Sequence, residues 1–242
     1  MKDYTFPFVT IVIPFYNDPF VGQALNSALQ QTYPHFEIIV VDDGSTRYAD
    51  RIRPYMDRVH YLGKANGGTA SALNHGIKYA SGEYIAWLSS DDMFYPDKLA
   101  RQLEYMITHN ALICHTNFDY INAYSQVTQH RAAVTFQSTE QFYESFFQFN
   151  PVNGCTVMMK RELFQFIGTF NEALPFTHDL DLWYRAILNG IDFHFVDEPL
   201  TAYRWHGGMG TMKHGAAISE EAAETNSRYQ PRLSKFLQWM SV

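Results

Sequence analysis

The chain has 242 residues, 46% hydrophobic and 16% aromatic, with a formal net charge of −7. That length buries a sizeable core in one large domain or two small ones. The acidity argues against nucleic acid as a partner, and no run approaches the roughly 18 apolar residues of a membrane span. The two cysteines, Cys114 and Cys155, are far apart and fit neither a disulfide framework nor a metal-site spacing. They are expected to be reduced core thiols of a cytoplasmic protein.

In chain order, the N-terminal stretch Met-Lys-Asp-Tyr-Thr-Phe-Pro-Phe lacks the long apolar segment of a secretory leader. Residues 9–13 read as a short β-branched strand ending at Pro14, with Tyr16 and Asn17 in the loop beyond. Asp18 is expected as N-cap and Pro19 as first residue of a helix with Val21, Ala24, Leu25, Ala28 and Leu29 on one face. Residues 36–41 form a second buried strand with Asp42-Asp43-Gly44-Ser45 at its end. A further element runs to about Met56, and residues 59–62 form a third, short strand. Asn66-Gly67-Gly68 precedes a helix with Ala70, Leu73, Ile77 and Ala80 on its apolar face and Gly82 as its stop.

Residues 84–88 are the apolar run of a strand covered on both faces, and it ends in Asp91 and Asp92 with no Lys or Arg until Lys98. A helix over 96–109 and a strand over 111–117 continue the alternation. Strands and helices at this spacing predict a doubly wound α/β sheet whose first part, residues 1–117, is the nucleotide-binding half.

The second half, 118–206, changes character. Residues 118–136 are polar and suit a hairpin or loop, and 139–147 read as an aromatic-rich helix. A strand over 155–159, helices over 161–167 and 179–189, and strands over 191–196 and 200–205 follow. Residues 207–215 hold four glycines and are expected to be mobile. The remaining residues to 242 read as closing helices that restart at Pro231. Arg228, Arg232 and Lys235 beside Phe236, Leu237 and Trp239 suggest a peripheral membrane contact, against the plainer expectation of a helix packed on the domain.

Three strand ends carry polar groups on what is expected to be one edge of the sheet: Tyr16-Asn17, Asp42-Asp43 and Asp91-Asp92. Ligands of open α/β sheets bind beyond the carboxyl ends of the strands. Singly, each has a structural explanation: Tyr16 packed on its own helix, Asp42-Asp43-Gly44 as turn chemistry, Asp91 or Asp92 as a helix cap. Together they make a binding edge the better account. No glycine-rich phosphate loop follows the first strand, so a bound diphosphate needs a divalent cation, Mn2+ or Mg2+, with Asp91 and Asp92 as the place for it.

These residues carry a resemblance. Pro14 to Asn17 (Pro-Phe-Tyr-Asn), Val-Val-Asp-Asp-Gly-Ser at 40–45, Asn-Gly-Gly-Thr-Ala-Ser-Ala-Leu-Asn-His-Gly at 66–76 and Ala-Ser-Gly-Glu-Tyr at 80–84 come first. Asp91-Asp92, Phe-Ile-Gly-Thr-Phe-Asn-Glu at 166–172, Asp-Leu-Asp-Leu-Trp-Tyr-Arg at 179–185 and Tyr-Arg-Trp-His at 203–206 follow in order. The chain resembles a family-2 glycosyltransferase of the GT-A fold, a Rossmann-like, mainly parallel sheet flanked by helices with an acceptor-side second half. The resemblance implies nucleotide binding by Pro14, Tyr16, Asn17, Asp43, Asn66 and Asp91, with Tyr16 stacking on the base and Asp43 hydrogen-bonding it. It further implies Asp92 and His206 on the metal, and Asp179 as the general base of an inverting transfer from a nucleotide-sugar, by family habit a UDP-sugar. The acceptor implied is a glycan or a lipid-linked intermediate, and the oligomeric state is left open. Departures are Ser89, where the family often has Asp; His178, where it often has Glu; and Leu73 in place of a common Arg. Two other classes compete. A nucleotidyltransferase needs a basic glycine-rich loop that residues 14–17 do not form, and a non-catalytic binding module has no need of Asp92 and Asp179.

Overall fold

Seven residues of almost unbroken burial make the first strand, β1 (Val9–Phe15). The chain continues through α1 (Val21–Leu29), β2 (Phe36–Asp42), a 3-10 turn at Ala49–Tyr55, β3 (His60–Gly63), α2 (Gly68–Tyr79) and β4 (Tyr84–Trp87). Then come β5 (Met93–Phe94), α3 (Lys98–Thr108), β6 (Ile113–Ile121), β7 (Val127–Gln129), α4 (Thr139–Ser145) and a 3-10 turn at Gly154–Thr156. β8 (Met158–Lys160), α5 (Leu163–Ile167), α6 (His178–Leu188), β9 (Phe193–Arg204), α7 (Gly210–Lys213) and α8 (Gly215–Met240) complete it. The computed structural model describes residues 6–240; the first residues of the stretch read for a leader lie outside them.

Among the described residues nine strands share one sheet, in the order β3-β2-β1-β4-β8-β6-β9-β5, with β7 paired to β6. β3, β2, β1 and β4 run parallel. β8 lies antiparallel to both β4 and β6, β9 is parallel to β6, and β5 is antiparallel to β9. The sheet is therefore mixed: the doubly wound half that the alternation predicts is continued by β8, β6 and β9. Side chains alternate across it. Val12 packs with α2, α4, α6 and α8 on one face, whereas Ile11 and Ile13 pack with α1 and α3 on the other.

Several elements depart from the sequence reading for visible reasons. Residues 154–156 form a 3-10 turn rather than a strand, because the Asn153 side chain accepts from Cys155 N and holds the bend. Gly154 there lies so close to the Trp87 ring that an added Cβ would sit 2.2 Å from it. β9 is one strand, not two; its register slips near Asn117 and absorbs Pro199 without ending the pairing. α8 does not restart at Pro231 but runs through it, its buried face of Tyr229, Leu233 and Leu237 outweighing one lost backbone hydrogen bond. Phe236 and Leu237 belong to that packed face, which is the plainer of the two expectations for this helix. No helix among the described residues is long and apolar enough to cross a membrane. Within 207–215 the chain forms α7.

Candidate functional site

β1, β2 and β4 are parallel neighbours, so their carboxyl ends open on one edge, and the loops beyond them meet there. Asn17, at φ 50°, knits two of these loops. Its side-chain oxygen accepts from Thr46 N (2.8 Å) and Arg47 N (2.7 Å), and its own N–H donates to Ser45 Oγ (3.0 Å). Tyr16 is left 55% exposed beside this knot. Pro14 lies within β1 opposite Val41, a residue short of the edge.

Asp43 stands differently from the expectation. Its carboxylate accepts from Lys64 Nζ (2.6 Å), from Gly67 N (3.0 and 3.1 Å to its two oxygens) and from Gly68 N (2.7 Å). Asn66 completes the arrangement by donating to the Asp43 carbonyl at 2.9 Å. The carboxylate is buried and its acceptor sites are used at the N-terminus of α2, where negative charge is favoured. The Asp43 carboxylate is thus engaged by internal donors, and Asn66 acts as its companion in shaping that loop.

At the third strand end, Asp91 and Asp92 diverge. Asp91 faces His206, whose Nε2 lies 3.1 Å from Asp91 Oδ2. Gly208 N donates to His206 Nδ1 at 3.3 Å, which leaves Nε2 as the ring nitrogen turned to Asp91. Asp18 joins them: one ligand-type atom from each of Asp18, Asp91 and His206 falls within 4.8 Å of the others. Asp18 is not the helix cap expected of it. It accepts from Phe20 N at 2.6 Å while α1 begins only at Val21. Burial, and then the charge of Asp91, push the Asp18 carboxyl up to about 6. Two carboxylates and an imidazole crowded in this way form a donor set suited to a hard or borderline divalent cation.

Asp92, the expected metal residue, is not in this group. It points into the protein, with Oδ1 accepting from Arg204 N at 2.7 Å and Oδ2 without a hydrogen-bond partner. Burial, and then Asp91, raise its carboxyl well above the usual range. The reason lies in Arg204, whose side chain is fully buried at the end of β9. Its Nε donates to the Asp91 carbonyl (2.7 Å), one terminal nitrogen to Asn122 O and Ser125 Oγ (both 3.0 Å), and the other to Gln23 Oε1 (2.7 Å). The guanidinium also stacks on Phe20 (4.3 Å), which meets His206 edge-on at 5.0 Å. One arginine therefore fixes the acidic turn, α1, the β6–β7 hairpin and the imidazole together.

Asp179 lies in the first turn of α6, one residue after the start at His178, with Thr177 as N-cap. It is not itself the cap. Its Oδ1 accepts from Leu180 N (2.7 Å) and its Oδ2 from Asn150 Nδ2 (3.0 Å). Burial raises its carboxyl, opposed by His178, by these two donors and by its own N–H. Glu221 of α8 accepts from Phe176 N (3.0 Å), Thr177 N (2.6 Å) and Thr177 Oγ1 (2.8 Å), and so holds the start of α6. Asp181 is structural: it binds Arg185 (2.7 Å) and the Tyr229 hydroxyl (2.7 Å). His178 is buried between Trp87 and Phe170 with both ring nitrogens unpartnered.

The sequence reading missed Asp18, Arg204, Asn150 and Glu221. Asp18 and Arg204 stand inside motifs already noted, and their signal was present. Asn150 and Glu221 reach the site only through tertiary packing and left no local signal.

Residues 10–168 match the sequence profile of Glycosyl transferase family 2. The chain belongs to that family. It is 38% identical over 218 residues to an uncharacterised glycosyltransferase of Rickettsia typhi, a match covering 87% of this chain and 68% of that one. Other Rickettsia relatives are longer, and the chain spans 37% of their length. A second relative, 33% identical over 76% of this chain and 70% of its own length, is the Escherichia coli UDP-Glc:alpha-D-GlcNAc-diphosphoundecaprenol beta-1,3-glucosyltransferase WfgD. Among solved structures, S. aureus TarS residues 1–349 in complex with UDP-GlcNAc superposes with a TM-score of 0.72 at 21% identity, covering 95% of this chain and 71% of TarS. The fold of this chain is therefore the α/β fold of the TarS structure, and its membership of Glycosyl transferase family 2 makes it a transferase.

Proposed function

We propose that this glycosyltransferase moves a sugar from a UDP-sugar to a hydroxyl of a glycan or lipid-linked acceptor, with inversion in a single displacement. The UDP-Glc in the name of WfgD and the UDP-GlcNAc bound in the TarS complex support the donor class. The observation that carries the reading is the convergence of Asp18, Asp91 and His206 at the strand ends, on the edge that bears Tyr16.

In this reading Tyr16 stacks on the uracil, while Asn17, Asp43 and Asn66 fix the loops around it. Asp18, Asp91 and His206 hold Mn2+ or Mg2+, with imidazole favouring Mn2+. The ion, when bound, supplies neutralising charge for the departing diphosphate. Asp179 accepts the acceptor's hydroxyl proton as that oxygen bonds to the anomeric carbon and the bond to the diphosphate oxygen breaks. Its raised proton affinity makes it a stronger base than an ordinary carboxylate. Asn150 keeps the carboxylate aimed by its 3.0 Å hydrogen bond. A single carboxylate on the acceptor side is the arrangement of an in-line, inverting step. The test is incubation with UDP-sugars and Mn2+, with the anomeric configuration of the product read by NMR. Inversion that disappears in Asp179→Asn is expected; a retained configuration would overturn the mechanism.

A further inference from the structure

A cleft of about 430 Å3 opens beside the site, walled by Trp205, Tyr120, Phe149 and Val134 and with Asn150 and Asp179 at its polar side. That volume is in the range of sites for small ligands, about 300–1,000 Å3. Three features of the wall stand out. Trp205 and Phe149 remain 46% and 42% exposed, large aromatic faces that the core does not use. Trp205 is nonetheless positioned: its backbone N–H donates to Ile121 O at 2.7 Å, and its ring meets Tyr120 edge-on at 5.8 Å. Among the described residues lining the cleft there is no Lys, Arg or His.

We propose that this cleft is the acceptor subsite and that it selects an uncharged pyranose as the terminal sugar of the acceptor. This rests on the transferase reading above and narrows its acceptor class. A pyranose has an apolar C–H face that stacks on an aromatic ring and a rim of hydroxyls that needs neutral hydrogen-bonding groups. Trp205 and Phe149 supply the first; Asn150, Asp179 and the tyrosine hydroxyl supply the second. A uronic acid or a phosphorylated polyol would bring an anion to a wall that has no cation and already holds the Asp179 carboxyl, an unfavourable approach. Trp205 and Asp179 line the same cleft, so a sugar stacked on the indole adjoins the proposed base.

The test is saturation-transfer NMR with three probes: methyl β-glucopyranoside, methyl glucopyranosiduronate and glucose 1-phosphate. Each is applied to wild type, Trp205→Ala, Trp205→Phe and Phe149→Ala, with UDP–Mn2+ affinity measured on the same samples. The neutral glycoside alone is expected to bind. Trp205→Ala should weaken it about tenfold, the size of a lost aromatic contact, and Trp205→Phe should recover most of that loss. UDP–Mn2+ affinity should stay the same in all four proteins. Equal or tighter binding of either anionic sugar overturns the proposal, as does glycoside binding indifferent to Trp205 and Phe149. Loss of UDP–Mn2+ affinity in the Trp205 variants overturns it too, because the cleft would then serve the donor. Failure of wild type to bind UDP–Mn2+ at all counts against the donor reading and leaves the glycoside result to decide this one.

Discussion

Asp179 is held by one side-chain donor and one backbone donor while burial raises its proton affinity. As the proposed base, such a carboxyl stays protonated to higher pH than an ordinary carboxylate. The rate should therefore climb with pH through a limb that lies above the usual carboxylate range, and a pH profile of kcat at saturating donor reads it. Asp179→Asn should lower kcat by about 10²–10⁴-fold and leave UDP affinity near wild type. Stability runs the other way. The folded state binds this proton more tightly than the unfolded chain, so the residue favours folding below its unfolded value and disfavours it as pH rises through the folded one. The Asn variant should accordingly be at least as stable as wild type at neutral pH, with the difference closing in acid; thermal melts at several pH values check this. Tyr16 makes a separate claim. Removing its ring should cost about 1–3 kcal/mol of UDP affinity, measured by calorimetry, and an unchanged affinity would remove Tyr16 from the base site.

At the scale of elements, the site depends on joints between segments distant in sequence. Glu221 of α8 serves three donors at the start of α6, the helix that presents Asp179. Glu221→Ala should cost about 1 kcal/mol, as loss of a helix cap does, and lower kcat more than it alters donor KM. Glu221→Gln keeps the accepting oxygen and should restore most of both, so an equal loss in Gln and Ala would argue against the capping role. Such joints also mark where sequence reasoning stopped. The parallel strands, their order of appearance and the three polar strand ends were readable, because hydrophobic period and turn residues are local signals. Asp43 was readable as a polar strand end, whereas its internal bonds to Gly67 and Gly68 were not, since those partners come from a loop more than twenty residues on. Asp91 and Asp92, adjacent in sequence, were readable as a cation-binding pair, and only the resemblance divided their roles. Only the bond from Arg204 N to Asp92 decides which of the two turns inward. The antiparallel insertion of β8 between β4 and β6 is likewise a long-range pairing with no local signature.

For the molecule as a whole, one mixed sheet joins β1, β2 and β4, whose edge is proposed to take the nucleotide, to β6, β8 and β9, on whose side the acceptor is proposed to bind. The Asp91–His206 contact joins the two, because Asp91 follows β4 and His206 follows β9. A ligand that engages this contact should stabilise the whole chain by mass action, about 2.7 kcal/mol at a hundredfold excess over its dissociation constant. Removing divalent metal with EDTA should therefore abolish any rise in Tm caused by UDP, and restoring Mn2+ should return it. The most direct measurement is an EPR titration of Mn2+, with and without UDP, in wild type, Asp91→Asn, His206→Ala and Asp18→Asn. Tight binding that UDP strengthens in wild type, and that weakens in all three variants while their melts stay cooperative, is the predicted result. Mn2+ binding indifferent to UDP, or unaltered by Asp91→Asn and His206→Ala, would contradict the account.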